Sequence, residues 1–361
     1  MAIGVLTSGG DAPGMNAAIR AVTKVAASRG HEVWGVVDGF DGLIDSNLRP
    51  LTRRVGGRGK LSPLAEVDYA GGRGGTVLGT ARSPRFFGRE GRARAARTVS
   101  DYSLDGIVVI GGNGSMEGAH LIATEHGVPV IGIPASIDND IGLTREAIGV
   151  DTALNTIVEA CDRIGDTASS HHRAFVVEVM GRNSGYLAMA AAVATAADAV
   201  LLPEQGRSTE EVVAALADVL RQSFASTREK QRVLILKAEG VHILTEQLVD
   251  AVRREVEGEL EVEIRATVLG HLVRGGNASF RDRLLAGRFG LVAVTGLLDG
   301  HTDRMVGWNL AGPGLDTSDS WIKLFPITEV LAETEALLDG TSQVTLDRVR
   351  RMEEIQGVLS I

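Results

Sequence analysis

The most restrictive feature of this sequence is an apolar run that ends abruptly in a polar, acidic loop. The run is Val128–Pro134, reading VPVIGIP, and the next six residues read ASIDND. A short run without alternating polar residues is typical of a strand that is covered on both faces. In open parallel sheets, ligands bind outside the carboxyl ends of the strands. Asp138 and Asp140 are therefore candidates for a functional site, although Asp-Asn-Asp by itself is typical of a surface turn.

Two further apolar runs end in glycine-rich turns that precede helical patterns. The turns begin at Gly9, reading GGDAPGM, and at Gly111, reading GGNGSM. Adjacent glycines let the backbone approach a ligand closely, and the free N–H groups at a helix start attract anions. In the second turn, Ser115 is the predicted helix N-cap. Neither turn matches GxGxxG or GxxxxGK[ST], so each alone leaves phosphate binding and a simple packing turn open.

Together, the two glycine turns and the acidic loop predict one site at one edge of a sheet. Such a combination suits a polyphosphate donor, a metal ion and a group that accepts a proton.

Apolar runs and helical patterns alternate along the chain, which predicts an α/β fold with a parallel sheet. The predicted strands are Ile3–Leu6, Glu32–Val37, Ile107–Ile110, Val128–Ile133, Ala174–Val179, Ala199–Leu202 and Val233–Lys237. The predicted helices are Met15–Ser28, Met116–Glu125, Thr152–Thr167, Glu210–Ser223, Leu244–Val256, Arg283–Leu298, Val330–Leu338 and Leu346–Ile355. At 361 residues the chain is long for one domain, so we expect two lobes that meet near Gly149–Thr152.

Charge and cysteine content narrow the class of protein. The net charge of −9 and the pI of about 5.5 argue against a nucleic-acid or membrane-surface partner. Cys161 is the only cysteine, which excludes a disulfide framework and a cysteine-based zinc site. The N-terminal sequence lacks the pattern of a signal peptide, and no apolar stretch is long enough to span a bilayer. We therefore expect a cytoplasmic protein.

Six motifs occur in the order in which 6-phosphofructokinases carry them. They are Gly9–Arg20 (GGDAPGMNAAIR), Gly74–Arg82 (GGTVLGTAR), Gly111–Ser115 (GGNGS), Ile137–Asp140 (IDND), Val176–Gly185 (VVEVMGRNSG) and Arg265–Gly276 (RATVLGHLVRGG). On these motifs the chain resembles the 6-phosphofructokinase family. The resemblance implies the phosphofructokinase fold, with two Rossmann-like lobes whose parallel-rich sheets are flanked by helices. It implies a donor (ATP)-binding lobe of residues 1–149 and 273–307, and a sugar-phosphate-binding lobe of residues 150–272 and 308–361.

The resemblance also implies a reaction. Members of the family transfer a phosphoryl group to the 1-hydroxyl of fructose 6-phosphate, which yields fructose 1,6-bisphosphate in glycolysis. For this chain it implies ATP as the donor, Mg²⁺ as the cofactor and a homotetramer with active sites shared between subunits. Phosphoryl transfer needs positioning and charge neutralisation more than covalent chemistry, so carboxylates and arginines are the expected groups.

Carried over to this sequence, the family's catalytic positions fall on four residues. Asp138 resembles the base that accepts the proton of the sugar hydroxyl, and Asp140 resembles the second carboxylate, which helps to hold the metal. Ser136 stands where the family usually has a threonine whose hydroxyl contacts the transferred phosphoryl group. Arg182 resembles a cation near the reacting group.

The remaining candidates bind the two substrates. The implied donor-binding residues are Gly10, Arg82, Gly112, Asn113, Gly114 and Ser115. The residues implied around the sugar, besides Ser136, Asp138 and Arg182, are Met180, Gly181 and Glu239. The implied 6-phosphate cluster is Arg173, Arg265, His271 and Arg274, which suits arginine because its planar fork can bind phosphate bidentately. In the family, the counterparts of Arg173 and Arg265 reach in from a neighbouring subunit.

The sequence departs from the family pattern at the donor site. Asn113 occupies the position where ATP-using members generally have a metal-associated aspartate, and an amide oxygen can still bind a hard cation with less charge. Gly114 and Ala135 stand where pyrophosphate-dependent members typically carry Asp and Lys. Small uncharged residues there leave room for a nucleotide, which favours ATP.

Three alternatives to this function stay open. The chain could be a pyrophosphate-dependent enzyme, a kinase of another sugar phosphate such as sedoheptulose 7-phosphate, or a weakly active or non-catalytic regulatory homologue that binds these ligands. Regulation is a separate question. Arg20 and Lys24 match cations of the bacterial effector site, but Gly165 stands where that site would offer an arginine, so we do not predict the family's allosteric response.

Overall fold

The computed structural model describes residues 2–56, 59–225, 230–309 and 314–359. The chain divides into two compact units. Unit 1 comprises Met1–Thr152 and Arg274–Glu335, and unit 2 comprises Ala153–Val273 and Ala336–Ile361. The chain first passes from unit 1 to unit 2 after Thr152, which is the last residue of the predicted Gly149–Thr152 boundary. We predicted residues 314–335 in the second lobe, but they lie in unit 1, because two strands near the C-terminus extend its sheet.

The strands and helices alternate along most of the chain, as the sequence pattern predicts. The strands are β1 (Ala2–Ser8), β2 (Glu32–Val36), β3 (Leu48–Pro50), β4 (Thr52–Val55), β5 (Lys60–Pro63), β6 (Gly106–Gly111), β7 (Val130–Pro134), β8 (Ala174–Val179), β9 (Ala199–Leu201), β10 (Val233–Ala238), β11 (Ile264–Val268), β12 (Arg304–Trp308) and β13 (Ile322–Pro326). The helices are α1 (Met15–Ser28), α2 (Gly39–Ile44), α3 (Ala65–Ala70), α4 (Pro84–Phe87), α5 (Arg89–Asp101), α6 (Asn113–His126), α7 (Val150–His171), α8 (Tyr186–Ala194), α9 (Thr209–Phe224), α10 (Thr245–Glu255), α11 (Phe280–Leu298), α12 (Ile327–Leu338) and α13 (Gln343–Leu359). Short 3₁₀ helices cover Pro203–Gln205 and Gly270–Arg274.

Unit 1 is built on a seven-stranded sheet of order β13-β12-β7-β6-β1-β2-β3. Its central strands are parallel, and only the edge pairs β12–β13 and β2–β3 are antiparallel. The apolar residues of β6, from Ile107 to Ile110, are fully buried, as expected for a strand with helices on both faces. A separate two-stranded ribbon pairs β4 with β5.

Unit 2 contains a four-stranded, wholly parallel sheet of order β11-β8-β10-β9. Buried side chains of these strands pack with those of helices α9 and α10, for example Val176 with Leu216 and Leu248. The predicted α/β class, with parallel-rich sheets flanked by helices, is thus confirmed. Among the described residues, no helix is both long enough and apolar enough to cross a membrane.

Candidate active site

The three polar strand ends predicted to share one edge are direct neighbours in the sheet of unit 1. Strand β6 lies between β1 and β7, so that Gly111 pairs with Ser8 on one side and with Pro134 on the other. The strands are parallel, so both glycine turns and the acidic loop leave the sheet at its carboxyl edge. The predicted convergence is confirmed.

The first glycine turn is fastened to the segment that carries Arg82. The Gly9 N–H donates to the carbonyl of Ala81 over 3.3 Å, and the Thr80 hydroxyl donates to the carbonyl of Gly9 over 2.9 Å. Gly10 and Arg82, two of the predicted donor-binding residues, are therefore held close together, and the Arg82 side chain is exposed.

The second turn starts its helix earlier than the sequence suggests. Helix α6 begins at Asn113 with Gly112 as N-cap, so the prediction of Ser115 as N-cap is wrong. Ser115 lies in the first helical turn, buried, and its hydroxyl oxygen has no hydrogen-bond partner in the described part of the chain. Gly111 must be glycine, because a Cβ there would lie 2.4 Å from the carbonyl oxygen of Ser8. A Cβ at Gly114, in contrast, would meet no atom within 4 Å.

The acidic loop is bound back onto the sheet rather than left as a free turn. The Ser136 N–H donates to the carbonyl of Ile148 over 3.1 Å, and the Ile148 N–H donates to the carbonyl of Pro134 over 3.0 Å. Asn139, in the left-handed region at φ 48°, accepts from the Ala147 N–H over 3.1 Å through its side chain. Asn139 therefore holds in place the loop that carries the two aspartates, a role that the sequence pattern does not predict.

The predicted metal and phosphoryl residues form one hydrogen-bonded cluster. The Asn113 amide donates to Asp140 Oδ2 over 2.8 Å, and the Ser136 hydroxyl donates to Asp140 Oδ1 over 3.3 Å. The Asp138 N–H donates to the Ser136 hydroxyl oxygen over 3.2 Å. Asp138 and Asp140 are both buried, with 3% and 8% of their surface exposed.

Arg274, predicted to bind the sugar's 6-phosphate, also belongs to unit 1 and lies beside the predicted base. Its Nη2 is 3.8 Å from Asp138 Oδ1, and its Nη1 donates to the carbonyl of Asp11 over 3.3 Å. The guanidinium also lies close to Gly10, because a Cβ at that glycine would be 3.1 Å from Nη1. One arginine thus contacts the first glycine turn and faces Asp138.

The cluster is chemically suited to a hard divalent cation. Asp140 and Asp138 supply carboxylates, and the buried Asn113 Oδ1 has no hydrogen-bond partner among the described residues. Magnesium is typically held by one or two carboxylates, with water and substrate phosphates completing the octahedron. No group of three or more His, Cys, Asp or Glu side chains fit for a metal occurs among the described residues. The residues present therefore fit a metal that arrives with a phosphate ligand.

Two buried carboxylates anchor the far end of the acidic loop. Asp282, in the first turn of α11, accepts bonds from the backbone N–H groups of Gly149 and Thr152, each over 2.8 Å. Glu146 accepts from Arg281 over 2.6 Å. Burial raises the pKa of Asp282, and burial, opposed by the charge of Arg281, raises the pKa of Glu146 to about 7.

In unit 2, the residues predicted around the sugar meet at the carboxyl edge of the four-stranded sheet. The N–H groups of Gly181 and Arg182 donate to Glu239 Oε1 over 3.1 and 2.5 Å. The Glu239 N–H donates to the carbonyl of Val179 over 2.9 Å, which joins the ends of β8 and β10. Gly181 has a φ of 154°, and a Cβ there would lie 2.4 Å from the Ser184 carbonyl oxygen. Met180 and an exposed His271 follow strands β8 and β11 at the same edge.

The other two predicted phosphate ligands lie at the opposite edge of that sheet. Arg173 precedes the first residue of β8, and Arg265 is the second residue of β11. Both arginines pair with the carboxylate of Glu263. With a rise of about 3.3 Å per residue, the seven steps from Arg173 to Met180 span about 23 Å. Within one chain, the structure therefore does not bring these arginines to the sugar residues.

The two cations that resemble those of an effector site, Arg20 and Lys24, are paired with an aspartate of the same chain. The Arg20 Nε and the Lys24 Nζ both donate to Asp68 Oδ1 over 3.0 Å. At Gly165, a Cβ would lie 1.8 Å from Nη1 of Arg232, so that guanidinium fills the space of a side chain at 165.

Comparison with known proteins identifies the family. A family model described as Phosphofructokinase matches residues 2–297. The ATP-dependent 6-phosphofructokinase of Thermotoga neapolitana is 46% identical over 306 residues, which cover 84% of this chain and 88% of that protein. The enzyme of the same name from Oceanobacillus iheyensis is 44% identical over 305 residues, with the same coverage of 84% and 88%.

A solved structure of phosphofructokinase from Saccharomyces cerevisiae is similar over 97% of this chain, with a TM-score of 0.79 and 33% identity. This chain spans 50% of that yeast chain. The motifs, the two sheets and these similarities agree, and both the family and the fold predicted from the sequence are confirmed. The chain belongs to the phosphofructokinase family.

Proposed function

We propose that this chain transfers the γ-phosphoryl group of ATP to the 1-hydroxyl of fructose 6-phosphate. The observation that carries the proposal is the cluster of buried Asp138 and Asp140 with half-buried Ser136 and Asn113, at the carboxyl edge that the two glycine turns share. Curated relatives that are more than 40% identical over most of this chain are named ATP-dependent 6-phosphofructokinases. As a member of their family, the chain is a kinase.

In this reaction Asp138 is the general base. Its carboxylate is buried, with 3.8 Å between its Oδ1 and Nη2 of Arg274, and it accepts the proton of the sugar hydroxyl. Ser136 orients the loop by accepting from the Asp138 N–H, and its hydroxyl, which donates to Asp140 over 3.3 Å, turns to the transferred phosphoryl group when the donor binds. Gly10, Gly112 and Gly114 offer backbone N–H groups to the donor phosphates, together with Ser115 and Arg82.

Mg²⁺ is the cofactor that this cluster suits, and Asp140 and Asn113 are the residues that would hold it. When bound, the ion neutralises the charge that develops on the phosphate oxygens. The chain's own part is to hold the Asp140 carboxylate in place, through the hydrogen bonds that Asn113 and Ser136 donate to it.

ATP is favoured over pyrophosphate by the space at the donor site. A side chain at position 114 would point into open space, so glycine is not required there by packing within the chain. Ala135 is almost completely buried and brings no charge. The small residues are consistent with room reserved for the nucleotide beyond its terminal phosphates.

In this proposal, the residues of one chain that bind fructose 6-phosphate are Met180, Gly181, Arg182, Glu239, His271 and Arg274. Its phosphate is also bound by Arg173 and Arg265 of a neighbouring subunit. The separation of about 23 Å along β8 supports this sharing, because one chain cannot supply both groups to one sugar. A homotetramer, in which subunits exchange these arginines, is the assembly that we propose.

The test is turnover of fructose 6-phosphate by the purified protein, measured in parallel with ATP·Mg²⁺ and with Mg²⁺-pyrophosphate. We expect turnover with ATP alone. Turnover with pyrophosphate alone would contradict the donor assignment. If neither donor supports turnover, sedoheptulose 7-phosphate is the next acceptor to test. A chain that is protected against unfolding by these ligands without any turnover would be a binding homologue rather than an enzyme.

A further inference from the structure

One carboxylate joins the two arginines at the amino edge of the unit 2 sheet. Glu263 Oε2 pairs with Nε of Arg173, and Glu263 Oε1 pairs with Nη2 of Arg265. All three side chains are partly or largely exposed, with Glu263 at 43% and the arginines at 26% and 53%. The pairing is therefore a surface feature that faces outward, where another molecule can reach the arginines.

The backbone places these three side chains side by side. The Ala174 N–H donates to the carbonyl of Glu263 over 3.0 Å, in the parallel register that pairs Ile264 with Ala174. Glu263 is therefore the cross-strand neighbour of Arg173. Because side chains alternate along a strand, Arg265, two residues after Glu263, emerges on the same face. A glutamate at this one position can reach both guanidinium groups.

The pairing leaves most of each guanidinium free. Glu263 pairs with one nitrogen of each arginine, whereas each guanidinium has five N–H donors. The remaining donors of both arginines can still bind a phosphate. The pKa of the Glu263 carboxyl is lowered, because hydrogen bonds and charge from Arg173 and Arg265 outweigh the desolvation that would raise it. At neutral pH the carboxylate is ionised and reduces the repulsion between the two cations.

We propose that Glu263 is a positioning residue for phosphate binding: it holds Arg173 and Arg265 as a preformed pair for the substrate phosphate. This inference rests on the proposed function, in which these arginines bind the 6-phosphate of the sugar in a neighbouring subunit. Without the carboxylate, two like-charged, flexible side chains would have to be brought together by the substrate, and the ordering would weaken its binding.

The first experiment is the steady-state kinetics of Glu263→Gln, which removes the charge and keeps the length. We expect the KM for fructose 6-phosphate to rise about tenfold, with kcat changed less than about twofold and the KM for ATP unchanged. Glu263→Asp keeps the charge but is one methylene too short to span both arginines, so it should also raise this KM. Glu259→Gln is the matched control, because Glu259 is a similarly exposed glutamate that pairs with Arg221 instead.

A double-variant cycle tests whether Glu263 acts through the arginine. In an Arg265→Ala background, Glu263→Gln should change the KM for fructose 6-phosphate less than about twofold, because the pair is already broken. A purely structural role would give additive effects. Protection against thermal unfolding by fructose 6-phosphate provides a second measure of binding that needs no turnover, and Glu263→Gln should weaken it.

Three results would overturn the inference. A lower KM in Glu263→Gln would mean that the carboxylate competes with the phosphate, and an unchanged KM or additive effects would mean that it does not position the arginines. Failure of the proposed function looks different, because the wild-type protein itself would then not turn over fructose 6-phosphate. If fructose 6-phosphate also fails to protect the wild type, both are overturned; if it does protect, the variants are judged by that protection.

Discussion

The two sheets differ in where they place their predicted site residues. In unit 1, three adjacent strands deliver the residues to one carboxyl edge, where the loop that carries Asp138 is bound at both ends by hydrogen bonds. In unit 2, the predicted sugar ligands are divided between the two edges of the sheet, and Glu263 pairs with one nitrogen of each arginine at the amino edge.

The difference separates two requirements of the reaction. In the proposed reaction, the base and the metal ligands need tight mutual geometry, and neighbouring strand ends of one chain can supply it. The phosphate of the sugar is charged, and arginines can bind it from its exposed side. These arginines can therefore come from another subunit. The comparison predicts that damage in unit 1 lowers the rate within a subunit, whereas damage at the amino edge of unit 2 lowers sugar affinity in its neighbour.

The largest effect should come from Asp138→Asn. The substitution keeps the shape of the base and removes its ability to accept a proton, so kcat should fall by about 10²–10⁴-fold while sugar binding survives. Steady-state kinetics checks the rate, and ligand protection against unfolding checks the binding. Asp101→Asn, at an exposed helix end, is the control. Unchanged turnover would remove Asp138 from its assigned role.

Arg265→Ala should raise the KM for fructose 6-phosphate about 10- to 100-fold and leave the KM for ATP unchanged. Mixing it with Asp138→Asn subunits sharpens the comparison. In mixed tetramers, some sites would combine an intact Asp138 from one chain with an intact Arg265 from the other, and activity should partly return.

The control for Arg265→Ala is Arg254→Ala, which removes an exposed arginine on α10 of the same unit. If mixed tetramers form without any recovery of activity, the sites are not shared in the way we propose.

Asn113→Asp should have a smaller effect that depends on the metal. The new carboxylate would stand where an amide now donates to Asp140 over 2.8 Å, so two negative charges would face each other. Without Mg²⁺, the unfolding midpoint should fall by about 2–4 °C, and Mg²⁺ should restore it. Calorimetry with and without Mg²⁺ measures this, with the exposed Asn47→Asp as control. An equal loss in both conditions would show that position 113 does not face the metal.

The last prediction concerns the pH dependence of stability at the anchor of the acidic loop. The pKa of Glu146 is raised from 4.5 to about 7, chiefly by burial, so the folded state binds this proton more tightly than the unfolded state does. Its contribution to stability therefore falls as the pH rises from about 4.5 to about 7, by roughly 2–3 kcal/mol. The free energy of unfolding, measured by urea denaturation at several pH values between about 4.5 and 7, should not show this fall in Glu146→Gln. The control variant Glu90→Gln, at an exposed position, should still show it.

Much of the fold could be predicted from the sequence, because apolar runs reveal buried strands. All seven predicted strands exist, and the limits of Ala174–Val179 and of helix Met15–Ser28 agree with the structure. The missed strands were those whose residues are not continuously apolar. In β11, for example, Arg265 and Thr267 interrupt the run, so the sequence pattern does not indicate a strand there.

The site was predictable where function depends on residue type and strand order, and less so where it depends on distant contacts. Asp138 and Asp140 follow a buried strand, so their location could be inferred. The approach of Arg274 to Asp138 joins positions 136 residues apart, and no local pattern encodes it. Asp282 was missed for the same reason, since a lone acidic residue at a helix start reads as an ordinary first-turn carboxylate.

The position of Asp282 also affects when the enzyme becomes competent during its synthesis. The bonds that fix Gly149 and Thr152 come from a side chain 130 or more residues further along the chain. While the ribosome is still making residues 153–281, β1, β6 and β7 are already available, but the end of the aspartate-bearing loop lacks this anchor. We therefore expect nascent and prematurely terminated chains to form this sheet edge before the loop that carries Asp138 is held in place. If Asp138 is the base, as we propose, such chains do not consume nucleotide before the enzyme is complete.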